Sequence, residues 1–464
     1  MKRTRPFAAA PSAAFTRRGF LGFAGGVAAT TLLTACSSGP SGSSASSGGT
    51  TTIKIVEYQQ ARADIMKKLI PQFEKDMAAQ GKKIKVDLIA DILTDAQFKT
   101  KITQQFHSGT APDLIDTGAT NIAGYAGAGY LLELDDALHE WSGWKTFYPT
   151  VKKVMKQPDG HYYAIPHEAS VQSLFYRKDV LESMGISTSQ PKTWDELIGR
   201  LKKVTVKTGE PSIVIPAGTA WGGGTWSEGF LPIVAGTGST FYDAKTGKWK
   251  VESKGLTATF ELYSELVDNK LLPVQDLLNP NPWEPTKYVD FVKGTLPVSA
   301  QGTWGWRYDW GPDGAAPIKD VQEKVATWDY PSLIDGTEPY SVGGGGYVYA
   351  VNAKSKSPDA AIAFAQWLAS GKPLARQLVK TGAAAPRSGI SGIEPYKSEP
   401  TLLDAEAKLK TSVPAPVGDG ADQVSQAVQD ATEKILTGDA NGKQAAKSFA
   451  ADAASLLGNS LVAQ

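Results

Sequence analysis

Tryptophan is the residue type whose placement in this sequence points most directly to chemistry. Eight of the twelve tryptophans lie between residues 221 and 328, several of them in glycine-rich segments such as WGGG at 221–224 and GTWGWR at 302–307. Helical packing does not explain indoles in such segments. A flat indole offers apolar area and an electron-rich face, which suits the C–H face of a sugar ring. Any one of these tryptophans is as readily a core residue, but the group favours a polar, ring-shaped ligand.

Signatures of common enzymes are absent from the sequence. The four histidines lack the HExxH spacing of a zinc protease, and the single cysteine leaves no thiolate cluster. No nucleophile elbow occurs, and the glycines at 343–346 are not followed by the Lys-Ser/Thr pair of a phosphate loop. We therefore expect no catalytic residue, no metal and no cofactor. Carboxylates are plentiful, however, so a glycosidase pair stays open, with Glu168 and Glu228 as the pair to consider.

The segments that must position these residues alternate between strand and helix patterns. Residues 52–57 and 83–89 alternate polar and apolar side chains, as half-buried strands do. Between them, apolar residues recur every four positions from 65 to 77, which predicts one buried face of a helix. A second helical pattern and a short strand at 114–115 follow. Strands and helices that alternate in this way favour a parallel sheet covered by helices, an α/β fold.

The first 50 residues carry signals of their own. The first acidic residue is Glu57, whereas five basic residues precede position 36, and without those five the chain has 43 basic and 47 acidic residues. A mildly acidic body argues against a nucleic-acid partner. The basic start and the apolar run at 19–33 predict a cleavable signal peptide over residues 1–36. Residues 37–50 are almost entirely Ser, Gly, Thr and Pro, which predicts a flexible linker.

Two short motifs refine the prediction for this leader. TRRGFL at 16–21 resembles a twin-arginine export signal, and LTAC at 33–36 resembles a bacterial lipobox, in which the cysteine is acylated and becomes the new N-terminus. A buried or reactive lone cysteine is the alternative reading of Cys36. We expect an extracytoplasmic body, anchored to the outer face of the cell membrane by a lipid on Cys36.

Five groups of segments, in order along the body, resemble the extracellular solute-binding proteins of the maltose-binding type, family 1 of the binding proteins of ABC importers. They are PDLI at 112–115 with GYLLELD at 129–135; GHYYAIP at 160–166 with LFYRKD at 174–179 and PKTWDEL at 191–197; FVKG at 291–294 with GTW at 302–304; GG at 343–344 with VYAV at 348–351; and SPDAA at 357–361. The resemblance covers the chain from about residue 52 to the C-terminus.

The resemblance implies a two-lobed, periplasmic-binding-protein-like fold of type II, with two discontinuous α/β lobes, a hinge and a central ligand cleft. The implied lobes are residues 51–168 with 330–371, and residues 169–329 with 372–464. The implied crossings lie near 168–172, near 325–331 and around 371. The family further implies a monomer that is not an enzyme, captures a sugar between its lobes and delivers it to the membrane permease of an ABC transporter.

The resemblance also implies ligand contacts from both lobes. Trp304 matches a ring-stacking tryptophan of the second lobe, and Trp226 and Glu228 lie in a loop that supplies another contact. Arg307 and Arg387 are as readily surface ion pairs. The implied ligand-binding set is Tyr58, Gln59, Asn121, Glu168, Ser170, Trp221, Trp226, Glu228, Trp283, Gly302, Trp304, Arg307, Tyr340, Gly343, Gly344 and Arg387.

The sequence departs from the maltose-binding pattern in ways that bear on the ligand. Thr117 stands where that pattern has an aromatic residue, and residues 421–433 contain none. A mono-, di- or short oligosaccharide therefore fits better than a long maltodextrin. Two alternatives stay open: a secreted carbohydrate-active hydrolase, and the same fold with a phosphodiester, polyamine or peptide ligand. A phosphorylated ligand calls for more cationic groups than the three basic residues at 281–310.

Overall fold

The fold is described from a computed structural model, which covers residues 49–239, 241–243, 245–333, 338–416 and 418–463. The predicted signal peptide, its twin-arginine motif, Cys36 and nearly all of the linker lie outside the described residues. In the part of the chain that is described, no helix has both the length and the apolar character needed to cross a membrane.

The strands build two sheets and one small hairpin. In chain order they are β1 (Thr51–Glu57), β2 (Ile84–Ala90), β3 (Leu114–Gly118), β4 (Ala164–Pro166), β5 (Val171–Arg177), β6 (Ile213–Val214), β7 (Tyr242–Asp243), β8 (Lys248–Trp249), β9 (Val298–Gly302), β10 (Val325–Trp328), β11 (Val342–Gly343), β12 (Tyr347–Val351) and β13 (Val413–Pro414). The three strands predicted at 52–57, 83–89 and 114–115 are confirmed as β1, β2 and β3.

Helices cover the sheets. They are α1 (Gln60–Ala79), α2 (Asp95–Ser108), α3 (Ile122–Gly127), α4 (Asp135–Glu140), α5 (Pro149–Met155), α6 (Lys178–Ser183), α7 (Trp194–Thr208), α8 (Leu231–Ala235), α9 (Lys254–Asp268), α10 (Val274–Leu277), α11 (Phe291–Lys293), α12 (Val321–Lys324), α13 (Pro358–Leu368), α14 (Gly371–Thr381), α15 (Pro400–Thr411), α16 (Ala421–Leu436) and α17 (Gly442–Leu457). Two π-helical segments, Thr225–Phe230 and Glu284–Asp290, precede α8 and α11.

The first sheet has the strand order β2-β1-β3-β12-β4. β1 runs parallel to β2 and β3, while β12 runs antiparallel to β3 and β4. The predicted four-residue spacing of α1 is confirmed, because Ile65, Leu69, Phe73 and Met77 are all buried against this sheet's core. Helix α2 starts with a reciprocal capping box at Thr94, which satisfies backbone donors of its first turn.

The second sheet has the order β13-β11-β5-β9-β6, and β10 also pairs with β5. β5 is buried along its whole length and runs antiparallel to β9, β10 and β11. Its core contains most of the tryptophan-rich region together with helices α7, α9, α16 and α17. The indole of Trp249 and the ring of Phe230, for example, are fully buried there.

The chain passes between the sheets three times in the described residues. The first passage joins β4 to β5, the second joins β11 to β12, and the third joins β12 to β13 through helices α13, α14 and α15. The second passage differs from the crossing predicted at 325–331, because β10 stays paired with β5 and the chain crosses only at 344–346. Helix α14 packs against α1 of the first sheet, although residues from 372 onward were assigned to the second lobe.

The first two passages run side by side. Ser170 and Gly345 are joined by a backbone hydrogen bond of 3.2 Å, and Gly344 donates to the Ser170 carbonyl at the same distance. A Cβ on Gly346 would lie 2.4 Å from the Glu168 carbonyl oxygen, closer than any real contact. The two passages therefore come this close only because residue 346 is glycine.

We expect Gly346→Ala to lower the free energy of unfolding by about 1–3 kcal/mol, the usual cost of overpacking. Gly345→Ala is the matched control, since its Cβ would lie 3.8 Å from the nearest atom, Val154 Cγ1. Urea unfolding of both variants measures the difference. Equal free energies of unfolding for the two variants would mean that the close approach at residue 346 does not affect stability.

Candidate functional site

Polar side chains gather at the edge of the first sheet from which the chain leaves for the second. Glu57 ends β1, Asp116 lies in β3, and Glu168 follows β4. Tyr347 starts β12 opposite Gly118, so it reaches the same edge. In open α/β sheets, ligands bind outside the carboxyl ends of parallel strands, which here are β1 and β3.

Arg62, in the first turn of α1, holds several of these groups together. Its Nε donates to Glu168 Oε1 at 3.1 Å and its Nη2 to Glu168 Oε2 at 2.5 Å, while its Nη1 donates to Gln59 Oε1. The guanidinium carbon lies 3.4 Å from the centroid of the Tyr347 ring. Burial would raise the pKa of Glu168, but the Arg62 charge beside it lowers that pKa overall. The Glu168 carboxylate is therefore a buried anion with a dedicated partner.

The Tyr347 hydroxyl is hydrogen-bonded to three other side chains of this cluster. It accepts hydrogen bonds from Gln59 Nε2 and, at 3.0 Å, from the Tyr58 hydroxyl, and it donates to Asp95 Oδ1 at 3.3 Å. The Tyr58 ring stacks on Phe98 with centroids 4.0 Å apart. Tyr58 is thus a core residue that presents only its hydroxyl to the cluster.

A buried acid-histidine group lies next to the Arg62 cluster. His167 Nε2 is 2.9 Å from Asp116 Oδ1, and the His167 ring stacks on Tyr349. Burial raises the pKa of Asp116 to about 7 and lowers the pKa of His167 to about 4, so both groups favour their neutral forms. Burial also raises the pKa of Glu57 well above its usual range.

A separate polar network belongs to the second sheet. The buried Lys287 ammonium lies 2.7 Å from Glu228 Oε2 and also donates to Gln301 Oε1. Gln301 donates to Asp309, which accepts a further hydrogen bond of 3.1 Å from the Tyr288 hydroxyl. Each charged group of this network therefore has a partner within its own half of the protein.

Two tryptophans lie beside this network, and a third, Trp304, follows Gln301 by three positions in the chain. Trp221 and Trp283 meet edge to face with centroids 6.5 Å apart, and Lys287 Nζ lies 5.0 Å from the centroid of Trp221. Trp304 is half-buried and folds back over Gly302, where a Cβ would come within 1.9 Å of its ring. Only glycine at 302 permits this position of the indole, which leaves part of its surface open.

Charged groups of both clusters act on one exposed tyrosine, Tyr308. Tyr308, in the loop after β9, is 44% exposed, and the charges of Arg62 and Asp95 from the first-sheet side act on its pKa, which burial and Asp309 raise. Lys99 of α2 lies 2.6 Å from Asp422 of α16, and these helices belong to different cores. Tyr308 and the Lys99–Asp422 pair are therefore two places where side chains of the two halves come near each other.

The remaining predicted residues have other surroundings. Trp226 packs among Phe230, Phe241 and Trp249 in the second core, so packing alone accounts for it. Arg387 lies between the rings of Trp141 and Phe147, each centroid 5.2 Å away.

Two further predicted residues are held by side-chain contacts. Arg307 forms the ion pair that the sequence left as its alternative, with Glu399. Asn121 Nδ2 donates to Thr117 Oγ1 at 3.0 Å.

Four predicted residues lie at or near the passages between the sheets. The Ser170 hydroxyl donates to the Gly345 carbonyl, and Gly343 pairs with Val171 in β5. The Gly344 backbone has φ +117°, which favours glycine. Tyr340 instead packs against Gly236 of the second core, with its hydroxyl on the Pro232 carbonyl.

Sequence reasoning missed Arg62, Tyr347, Lys287, Gln301 and Asp309. A basic residue in the first turn of the helix after β1 was a signal for Arg62, because that turn meets the carboxyl ends of the parallel strands. Lys287 was noted only as one of few basic residues near the tryptophans. Its partners lie 59 and 14 residues away in sequence, so no local spacing indicates them.

One group in the described residues has the donor spacing of a metal site. Its ligand atoms, from Glu133, Asp135 and His161, all lie within 4.8 Å of one another. His161 Nδ1 is 3.3 Å from Glu133 and 3.4 Å from Asp135, which are distances of a surface ion pair. We assign no metal to this group.

Comparison with known proteins identifies the family. The profile described as bacterial extracellular solute-binding protein matches residues 59–372. The chain belongs to this family. The solute-binding protein is 25% identical to the maltotriose-binding protein of Pyrococcus abyssi (strain GE5 / Orsay) over 71% of this chain and 66% of that protein. It is 24% identical to the arabinooligosaccharide-binding protein of Halalkalibacterium halodurans over 34% of each chain. The matched regions thus span less than two thirds of these relatives.

Solved structures confirm the fold of this solute-binding protein. The GacH receptor of Streptomyces glaucescens GLA.O superposes with a TM-score of 0.72 at 20% identity, covering 88% of this chain and 99% of that chain. Maltose-bound MalE3 of T. maritima gives the same TM-score and identity, covering 88% and 100%. These neighbours are two-lobed proteins of the maltose-binding type. The predicted two-lobed α/β fold and the predicted family are therefore confirmed.

The buried Asp116 carboxyl generates a pH prediction. A pKa raised to about 7 from about 3.9 in the unfolded chain gives stability that is fully present below pH 3.9 and is lost as pH rises through 7. We expect Asp116→Asn, which lacks this titration, to become less stable relative to wild type as pH falls from 8 to 4.5.

Urea unfolding at pH 8, 6 and 4.5 measures this difference, and the exposed Asp87→Asn variant serves as control. His167 titrates in both proteins, so comparing each variant with wild type at the same pH removes much of its contribution. A stability difference that stays constant across pH for Asp116→Asn would contradict the buried, neutral state of the carboxyl.

Proposed function

We propose that this chain is the sugar-binding component of an ABC importer, which captures a mono-, di- or short oligosaccharide between its lobes and delivers it to a membrane permease. The observation that carries the proposal is the half-buried Trp304 indole, which folds over Gly302 in the segment that leads to Tyr308, the tyrosine on which the charges of Arg62 and Asp95 act from the first-sheet side. An apolar ring surface with a few polar groups is the composition of a sugar site.

The relatives support a sugar ligand by what their names state. They include proteins named for binding maltotriose, arabinooligosaccharides and lactose, and one named for sn-glycerol 3-phosphate. The cleft favours an uncharged ligand over a phosphorylated one, because the cations Arg62 and Lys287 are already paired with carboxylates. An unpaired cation is what a phosphate requires.

We propose that ligand contacts come from both halves of the cleft. From the predicted set we place Gln59, Glu168 and Asn121 on the first side, with Tyr58 acting through its hydroxyl, and Trp304, Trp283, Trp221 and Glu228 on the second. To these we add Tyr347 and Tyr308 from the structure. Trp226, Tyr340 and Arg387 have packing partners that explain them without a ligand.

The lobe boundaries follow the sheets in this proposal. We assign β1–β4, β12 and helices α1–α5 and α13–α15 to lobe 1, and β5–β11, β13 and helices α6–α12, α16 and α17 to lobe 2. The packing of α14 on α1 and the backbone bridge between Ala169 and Ala384 support the reassignment of residues 372–411. The protein would act as a monomer.

A hydrolase is the second candidate, and the geometry disfavours it. A glycosidase needs a carboxylic acid with a raised pKa and a second carboxylate flanking the scissile bond. Glu168 is paired with Arg62, which lowers its pKa, and Glu228 is paired with Lys287. Neither group is set up as a proton donor.

The leader completes the proposal. We propose export through the twin-arginine motif at 16–21, cleavage before Cys36 and a lipid on that cysteine, which would hold the body at the outer face of the cell membrane. The family's extracellular description supports this location. The Ser- and Gly-rich residues 37–50 would act as a tether.

A binding screen tests the function directly. We expect maltotriose, lactose or an arabinooligosaccharide to raise the melting temperature, since a ligand that binds only the folded state stabilises it. We expect Trp304→Ala to weaken the affinity for that sugar roughly 10- to 100-fold, the loss typical of a buried aromatic contact, without unfolding the protein. Isothermal titration calorimetry measures both proteins.

Trp141→Ala is the matched control, because Trp141 is also half-buried but packs beside Arg387. It should bind the sugar as wild type does. If no sugar raises the melting temperature, the sugar assignment is wrong. Unchanged affinity of Trp304→Ala would refute its stacking role. Turnover of an oligosaccharide would favour the hydrolase.

Closure of the lobes gives a further prediction. The Lys99–Asp422 ion pair links α2 to α16, and its side chains are 44% and 70% exposed. Exposed pairs contribute about 0.2–1 kcal/mol, so we expect Lys99→Glu to weaken sugar affinity about two- to five-fold at low salt and less at 1 M salt.

Lys101→Glu is the control for this variant. Lys101 lies on the same helix and its side chain is 47% exposed, but it pairs with Asp91, which follows β2 of the first sheet. An equal loss of affinity in both variants would mean that the Lys99 effect has nothing to do with contact between the lobes.

A further inference from the structure

One buried guanidinium contacts three side chains at the edge of the first sheet from which the chain leaves for the second. Arg62 is 7% exposed, and it donates to both oxygens of Glu168, donates to Gln59 and lies flat against the Tyr347 ring. Gln59 in turn donates to the Tyr347 hydroxyl. The three side chains are thus arranged around one cation rather than around one another.

The chemistry of this arrangement requires arginine. A guanidinium is a planar fork with five N–H donors, so it can bind a carboxylate with two hydrogen bonds, reach an amide oxygen and stack on an aromatic ring at once. A lysine ammonium supplies the charge, but it cannot make the paired bonds and the flat contact together. Arg62→Lys would therefore keep the charge balance and lose the geometry.

The position of Glu168 explains why its fixed orientation matters for ligand binding. Glu168 lies on the first passage between the sheets, where its carbonyl oxygen is in close contact with Gly346 of the second passage. A carboxylate that accepts two hydrogen bonds from Arg62 still has lone pairs that can accept hydrogen bonds from hydroxyl groups. Its orientation therefore decides which hydroxyl groups of a ligand it can meet.

We propose that Arg62 is the positioning residue of the first-lobe half of the sugar site, fixing Glu168, Gln59 and Tyr347 in the geometry that meets the ligand's hydroxyl groups. The inference rests on the proposed function and names a residue outside the sequence-predicted set. The titratable groups that face Arg62 from neighbouring elements are Glu57, Asp95, Asp116, His167, Glu168, Tyr308, Tyr347 and Tyr349.

Two variants separate positioning from stability. We expect Arg62→Lys to weaken maltotriose binding at least about ten-fold at pH 7, the loss that a hydrogen bond to a charged group brings. Arg177→Met is the matched control: Arg177 is equally buried, pairs with Asp179 and holds the carbonyls of Phe291 and Val292, all in the second lobe. It should lower the melting temperature and leave maltotriose affinity within two-fold of wild type.

A pH series adds a readout that a purely structural role would not move. Without the neighbouring cation, burial raises the pKa of Glu168. Arg62→Met should therefore lose more maltotriose affinity between pH 7 and pH 5 than wild type or Arg177→Met does, since Asp116 titrates in all three proteins. Wild-type affinity in Arg62→Lys, or an equal loss in Arg177→Met, would overturn the proposal.

Crystal structures of ligand-free wild type and Arg62→Lys make the test independent of the sugar. The proposal expects the side chains of Glu168, Gln59 and Tyr347 to shift together in the variant. If all three stay in place, Arg62 does not position them. If wild type binds no maltotriose but the three side chains shift, the positioning role stands and the sugar assignment fails.

Discussion

A buried ion pair between Arg62 and Glu168 is the interaction on which the site depends. Removing two charges from water is expensive, and such a pair persists only where geometry is good and the remaining polar atoms are satisfied. Both conditions are met here by two hydrogen bonds to Glu168, a third to Gln59 and the Tyr347 ring beneath the guanidinium. Because Glu168 lies at the passage between the sheets, this pair links the edge of the first sheet to that passage.

In the second lobe, buried charges are paired by a different set of groups. Lys287 neutralises Glu228 and, with Gln301, Asp309 and Tyr288, forms a network closed within that lobe. Charges that are paired inside each lobe do not need the other lobe for satisfaction. Among the described residues, three ion pairs join the lobes: Lys99–Asp422, Arg307–Glu399 and Lys408–Asp329. None of them belongs to either buried network. Closure then depends on differential contact with a ligand.

The fold was predictable because the hydrophobic pattern within each segment indicates whether it forms a strand or a helix. The alternation at 52–57 and the four-residue spacing in α1 report directly which side chains face the core. The crossing at 325–331 was mispredicted because β10 continues the second sheet, and strand pairing over 150 residues leaves no local trace. The site was predictable only in part, since an indole in a glycine-rich segment gives the same signal whether it is the partly exposed Trp304 or the buried Trp226. Arg62 was missed because its partner stands 106 residues away.

The most direct test of the account is a crystal structure of the protein with the sugar that it binds most tightly. The account predicts that the sugar lies between the lobes, with a ring face on Trp304 and hydroxyl groups on Gln59, Glu168 or Tyr347. A sugar that contacts only one lobe, or that binds elsewhere on the protein, would contradict it.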